Sequence, residues 1–346
     1  AVAHGSDSVL YFQWRKGRGA YEKFHGAVVD HFGGKDTRTF REVTEVGERL
    51  SRLGGLLEGT VNRPKAALLF DWENWWALEN TTGPRLDLDY PGSVMEHFRA
   101  FWEAGIELDI IGMEDSLSDY RLVSAPLNYL YQPGYAERVR QFVENGGIYV
   151  TTCFSGCVDE TDLCFTGRHP LAEVLGIEPE ELDAPSEEFA NQFCYEGTEY
   201  PAQKLCAVVH PGEGTEVLAV YERGFYAGYP AITRNAWGKG AAYFLAAMSS
   251  LDFLRAFYGN VGTLAGLENP LGVRLPYGVT VTQRQRGAGE GEAEKEPGSV
   301  VFVMNFGHGP AEISVPGAWR DAESGESCGA ALCLEPLSCR ILERED

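Results

Sequence analysis

Basic residues are in short supply in this chain. Its 346 residues hold 29 Lys and Arg against 51 Asp and Glu, a formal net charge of -22. So acidic a protein repels phosphate backbones, and nucleic acid is excluded as an expected partner. Long apolar runs are also missing. None nears the roughly 20 residues needed to span a bilayer, so no membrane partner is expected. No positively charged, apolar leader opens the chain. Cysteine pairs at C-x2-C spacing are absent, although there are eight cysteines: Cys153, Cys157, Cys164, Cys194, Cys206, Cys328, Cys333 and Cys339. The cluster Cys153-x3-Cys157-x6-Cys164 admits a metal reading, but its flanks are apolar or strand-like. The better expectation is small buried hydrophobes in a reducing, cytoplasmic compartment, with no metal and no cofactor. No repeat recurs at a solenoid period.

What is present belongs to a folded protein, with 44% hydrophobic and 12% aromatic residues. The length exceeds one ordinary core, so two or three units are expected. Val9-Leu10-Tyr11-Phe12 reads as buried strand, within a strand over 8–14 that ends in Gln13, Trp14 and Arg15. Glu22 and His25 follow a Lys16–Gly19 loop. Phe40, Val43, Val46, Leu50, Leu53 and Leu57 form one stripe of a helix over 39–58. Thr39 is its expected N-cap, with Glu42 as capping-box partner. Asn62-Arg63-Pro64 then marks a boundary.

From Lys65 the pattern alternates. Apolar runs at 66–70, 106–111, 122–126 and 148–152 read as strands, and 93–104 and 134–145 as helices. That is the pattern of a parallel sheet covered on both faces. A polar, Trp-rich loop is expected after the first run. The unit closes with segments at 216–221 and 241–247 and a helix near 250–265. Beyond 269, alternating strands at 272–285 and 299–305, joined by the glycine-rich loop RGAGEGEAEKEPG, begin a small antiparallel β unit. Short strands within 311–315 and 331–344 complete it.

Three stretches could carry chemistry. In Phe70-Asp71-Trp72-Glu73-Asn74-Trp75-Trp76, just after a strand, the tryptophans suit an interface or a pocket wall, with interface favoured. No glycine-rich phosphate loop follows that strand. Thr152-Cys153-Phe154-Ser155-Gly156-Cys157, with His169 downstream, has the residue types of a nucleophilic hydrolase. It lacks a G-x-S-x-G elbow or its cysteine equivalent. Glu22 and His25, three apart, would share one face of a helical turn. They could bind adjacent sugar hydroxyls while Trp14 stacks on the ring. A surface ion pair of Glu22 with Lys23 or Arg18 is the plainer alternative.

The residues also carry a resemblance. AHGSDSVLYFQWRKGRGAYEKFHGAVVDH resembles the eighth barrel strand and following loop of family 42 glycoside hydrolases, which are β-galactosidases. RPKAALLFDWENWWALEN, FSGCVDETDLCFTGRHPLAEVLGI and PAITRNAWGKGAAYF resemble their trimerisation domain, and the last 75 residues their C-terminal β domain. The resemblance implies an α/β chain in three parts. These are the last strand and helix of a (β/α)8 barrel (1–62), a glutamine-amidotransferase-like doubly wound domain (63–268) and a small antiparallel β domain (269–346). It implies retaining hydrolysis of terminal β-galactosides by two glutamates about 5–5.5 Å apart. Both would precede Ala1, so no residue here is expected to be catalytic, and the chain is expected to be the C-terminal portion of the enzyme. Glu22, His25, Trp14 and Arg15 match residues at the galactose subsite. In the family's homotrimer the middle domain of a neighbouring subunit helps wall the active site, which implies that Trp72, Trp75 and Trp76 are interface and pocket wall at once. The rival expectations are a non-catalytic carbohydrate-binding or assembly protein, and an amidotransferase-like enzyme using Cys153 or Cys157.

Overall fold

The computed structural model describes residues 1–286 and 299–345. The chain divides into two compact units, Ala1–Arg63 with Asn269–Asp346, and Pro64–Glu268. The first unit opens with a 3₁₀ turn, Val2–His4, in which Ala3 is buried. Residues 8–14 do not form the expected strand. A strand needs neighbours to take up its N–H and C=O groups. Among the described residues, the backbone partners of this stretch are Val28 and Val29, which donate to Gln13 O at 3.1 Å and Trp14 O at 2.7 Å. Leu10 and Phe12 are left 91% and 69% exposed.

Helix α1, Arg38–Leu57, follows its apolar stripe. Its cap is Thr37, not Thr39. The extended backbone at Thr37 lets its Oγ1 accept from Phe40 N at 3.3 Å, and the helix begins before Thr39. Glu42 bonds Arg38 at 2.6 Å instead of closing a capping box. A two-residue strand follows, β1, Thr60–Val61.

In the second unit β2 (Ala66–Leu69) is wholly buried. The expected loop after it is a helix, α2, Trp72–Asn80. Asp71 caps it by accepting from Asn74 N at 2.9 Å, and the tryptophans occupy its first turns. Then come α3 (Tyr90–Glu103), β3 (Leu108–Ile111), β4 (Leu122–Ala125), α4 (Tyr135–Glu144) and β5 (Ile148–Thr152). A short helix, α5 (Ala172–Leu175), leads to β6 (Ile177–Asp183), β7 (Asn191–Tyr195) and β8 (Thr198–Pro211). The unit ends with β9 (Glu216–Val220), β10 (Pro230–Trp237), β11 (Gly240–Leu245), β12 (Ala247–Met248) and α6 (Leu251–Leu264).

The main sheet has the order β3-β2-β4-β5-β11-β10-β9. Its first five strands are parallel, and β10 pairs antiparallel with β11 on one side and with β9 on the other. Helix α3 packs on β2 and α6, and α4 on β5 and β11. A second, antiparallel sheet of β12, β8 and β6, with β7 on β8, was not anticipated. Pro179, Pro201 and the acidic Glu178, Glu180 and Glu181 obscure its alternation in the sequence.

The first unit resumes with β13 (Val279–Arg286), β14 (Ser299–Asn305), β15 (Ala311–Ser314), β16 (Trp319–Asp321), β17 (Ala331–Leu334) and β18 (Ser338–Arg344). Its sheet has the order β1-β13-β14-β18-β16, and β15 pairs with β17. Both faces are covered, as the two-residue period of β14 requires. Val301 and Val303 face a cluster with Ile313, Trp319 and Leu334. Val300, Phe302 and Met304 pack with Ala3 and Leu53. Of the expected glycine-rich loop, residues 287–298 lie outside the described residues.

Candidate functional site

The segment with the sugar-binding candidates is an arc held at its base. Val28 and Val29 are buried, and Arg15 and Val29 form a parallel bridge. Lys16 N donates to Val29 O at 3.1 Å, and Lys16 Nζ meets Asp30 Oδ2 at 2.6 Å. The Lys16 hydrogen bond, helped by that from His31 N, holds the Asp30 carboxyl below the ordinary carboxylate range. His31 Nε2 lies 2.8 Å from Gly17 O, which ties in the start of the loop.

At the tip of the arc, Tyr21–Phe24 make one 3₁₀ turn, and His25 N closes it on Glu22 O at 3.0 Å. Glu22 and His25 thus share a turn, though a 3₁₀ turn with an extended cap rather than an α-helix. Both are exposed. Among the described residues Glu22 pairs with neither Lys23 nor Arg18, and Lys23 sits over the Phe24 ring at 5.6 Å. His25 meets the Phe12 ring at 6.3 Å. Trp14 turns an edge to Phe40 of α1 at 5.9 Å and stays 64% exposed. Among the described residues, Trp14, Arg15, Glu22 and His25 make no hydrogen bond with one another. Phe12, Tyr21 and Phe24 of the same segment are exposed as well.

The second unit carries a separate aromatic group. Trp72 stacks on Trp75 at 5.3 Å, and Trp76 lies 6.4 Å from Trp72. Phe70 supports them from below, with its ring 5.3 Å from Trp72 and 5.5 Å from buried Tyr90. Trp72 and Trp76 remain over half exposed. Asn74, on the inner side of α2, is wholly buried; it donates to Leu127 O at 3.0 Å and accepts from Leu130 N at 2.9 Å. That pair of bonds locks the helix, so the exposed tryptophans stand on a fixed base.

The geometry does not support thiol catalysis by Cys153 or Cys157. Two tight turns follow the central strands, and Leu127 and Phe154 occupy their positive-φ positions, at 44° and 61°. An exposed nucleophile would need such a place. Cys153 is fully buried, and burial pushes its thiol far up. Burial pushes Cys157 up to about 12. His169, the candidate base, is occupied at both nitrogens. Its Nδ1 accepts from Leu171 N at 3.0 Å, and its Nε2 lies 3.0 Å from Ser155 O. Burial also lowers its pKa. The cysteines are less uniformly buried than expected, since Cys164, Cys194 and Cys333 are exposed on strand edges and turns. All eight are free thiols, and among the described residues no three His, Cys, Asp or Glu groups could hold a metal ion.

One polar cluster went unseen in the sequence. His97 Nδ1 and Ser124 Oγ each lie 2.6 Å from Tyr258 Oη, deep between α3, β4 and α6. The three residues are far apart in the chain and belong to no common motif, so no local pattern marks them.

Residues 64–268 match the family described as β-galactosidase trimerisation domain, and residues 1–53 the family described as β-galactosidase. The chain is similar to a β-galactosidase of Clostridium perfringens, at 42% identity over 100% of this chain and 50% of that protein. A β-galactosidase of Alicyclobacillus acidocaldarius is 43% identical over 99% of this chain and 50% of its own length. Among solved structures, a β-galactosidase from Bacillus circulans sp. alkalophilus superposes with a TM-score of 0.90, at 37% identity, over 99% of this chain and 50% of its own. A cold-adapted β-galactosidase from Rahnella sp. R3 gives 0.88, at 40% identity, over 99% and 50%. The chain therefore spans about half the length of the relatives it matches.

Proposed function

This chain belongs to the family 42 β-galactosidases, and on that premise we propose that it is the C-terminal half of a retaining β-galactosidase. The observation that carries the reading is the match along the whole chain, at over 40% identity, to one half of two β-galactosidases. The enzyme hydrolyses terminal β-galactosides through a glutamate nucleophile and a glutamate acid/base, both on the other half. Residues 1–62 contribute the last strand and helix of a (β/α)8 barrel. Residues 63–268 build the contacts of a homotrimer, and 269–346 form the C-terminal β domain. The enzyme works in the cytoplasm.

In this reading the Glu22 carboxylate accepts hydrogen bonds from galactose hydroxyls. His25 bonds a neighbouring hydroxyl, and Trp14 stacks on the apolar face of the ring, with Arg15 beside it. Their exposure here suits a surface that substrate and the rest of the barrel cover. Hydrogen bonds to a charged group contribute about 1.5–3 kcal/mol each, enough to fix one sugar orientation. Trp72, Trp75 and Trp76 form a trimer contact that also walls a neighbour's active site.

The test is turnover of a chromogenic β-galactoside by this chain alone and by the chain mixed with its barrel half. Silence alone and activity on mixing are expected. Enzyme-like turnover by the chain alone would refute the upstream placement of the chemistry. Sugar binding with no turnover even after mixing would favour a non-catalytic carbohydrate-binding protein.

A further inference from the structure

Arg284 of β13 is the largest fully buried side chain among the described residues, at 1% exposure. All five of its N–H donors are used. Nε donates to Thr60 Oγ1 at 2.9 Å. Nη1 donates to Val2 O at 2.8 Å and Ser6 O at 3.0 Å. Nη2 donates to Asp7 Oδ1 at 2.9 Å and Thr60 O at 2.6 Å. A cleft of about 500 Å³ adjoins the guanidinium. With every donor taken, Arg284 has nothing to offer a ligand there, and its role is internal.

The acceptors fall in two groups. Val2, Ser6 and Asp7 lie just before the segment with Trp14, Arg15, Glu22 and His25, and Thr60 lies just after the helix that follows it. One guanidinium thus ties together both ends of residues 8–59. Neighbouring bonds repeat the pattern. Thr282 Oγ1 donates to Ala3 O at 2.8 Å, Asn62 Nδ2 to the same oxygen at 3.0 Å, and Arg286 Nη2 to Gly55 O at 3.0 Å. Leaving such a group half-satisfied in the interior is strongly unfavourable, so the bonds act together.

From this geometry we infer that Arg284 is a positioning residue for the sugar site, and that the C-terminal β domain acts as the clamp fixing the site-bearing segment. The inference rests on the proposed sugar-binding role of Glu22 and His25. The clamp works at a distance, by closing the ends of an arc whose tip carries the ligands. A displacement of about 1 Å at a reacting centre can lower a rate by about a hundredfold.

The experiment uses the full-length enzyme. Arg284→Lys keeps the charge and offers three donors in place of five. It is expected to lower kcat/KM on an aryl β-galactoside about tenfold or more. Amide hydrogens of residues 13–31 should exchange faster, while those of residues 64–268 stay unchanged. In a cycle with Glu22→Ala, the double variant should lose clearly less than the product of the two single losses, because part of what displacement costs is the Glu22 contact already missing. Full additivity, or unchanged exchange over 13–31, overturns the clamp. A wild-type rate for Glu22→Ala would instead sink the sugar-site reading, and exchange would still judge the clamp. If Arg284→Lys does not fold, Thr60→Val removes the Nε acceptor, together with the bond from Thr60 Oγ1 to Leu57 O at 2.6 Å, and leaves the other four guanidinium bonds in place. It should loosen the same amides to a smaller degree, and no loosening overturns the proposal.

Discussion

Single residues in this chain are tuned mainly by burial. His97 is the sharpest case, with its ring buried against Tyr258 and its pKa pushed down to about 3. An unfolded imidazole titrates near 6.5. Above that pH neither state binds the proton, and the network's stability is fully present. As the pH falls below 6.5 the unfolded chain takes up a proton that the folded chain refuses, and stability declines until the pH reaches about 3. Between pH 7 and pH 4.5 this one group removes about 2–3 kcal/mol. His97→Gln should flatten that acid limb by a similar amount, as read by urea unfolding at the two pH values. Equal slopes in variant and wild type would assign the limb to other groups. Cysteine reactivity follows the same logic. A thiol-directed electrophile on native protein should label exposed Cys164, Cys194 and Cys333 well before buried Cys153 and Cys206, by peptide mass spectrometry. Early labelling of Cys153 would reopen the thiol-enzyme reading. None of this was visible in the sequence, where a cysteine on an edge and one in a core look alike.

Elements were legible where one periodic pattern met one environment. Ala66–Leu69 and Ile148–Thr152 are sheet strands because a short run without charged residues fits a strand covered on both faces. Residues 8–14 show the limit of that inference. Their apolar run is strand-like, but a strand is a property of a pair, and the sequence does not say which neighbours will be in place. Residues 72–80 fail the other way. Three tryptophans among polar residues hid a helix whose start rests on Asp71. Burial raises the Asp71 pKa, against the hydrogen bond from Asn74 N. The side chain is therefore wanted as an acceptor more than as a charge. Asp71→Asn, which keeps the acceptor and removes the buried charge, should be close to neutral. Asp71→Ala should cost about 1 kcal/mol in denaturant unfolding. If the two variants lose stability equally, the cap is not what starts α2. The sugar-binding candidates were legible to the same partial degree. Spacing put Glu22 and His25 in one turn, but not which turn, nor that Phe12 would lie against His25.

At the scale of the whole molecule, the question is what the exposed aromatic surfaces are for. Trp72 and Trp76 stand over half exposed on a helix locked to its own core by Asn74. A rigid, exposed pair of tryptophans is the composition of an interface anchor, where truncating one such residue often costs 2 kcal/mol or more. At that magnitude each loss weakens association about thirtyfold, and the two together by up to about a thousandfold where they act independently. If the enzyme is the proposed homotrimer, full-length Trp72→Ser/Trp76→Ser should pass from trimer to smaller species on dilution through concentrations where wild type stays assembled, as light scattering reads directly. Activity then separates the two roles given to this surface. If the tryptophans wall a neighbour's active site, kcat/KM on a galactoside falls in step with the trimer fraction. If they only join subunits, the dissociated enzyme keeps its rate. A variant that stays assembled and fully active would show that α2 serves neither role, and the contacts of the proposed trimer would have to be sought on another face of the second unit.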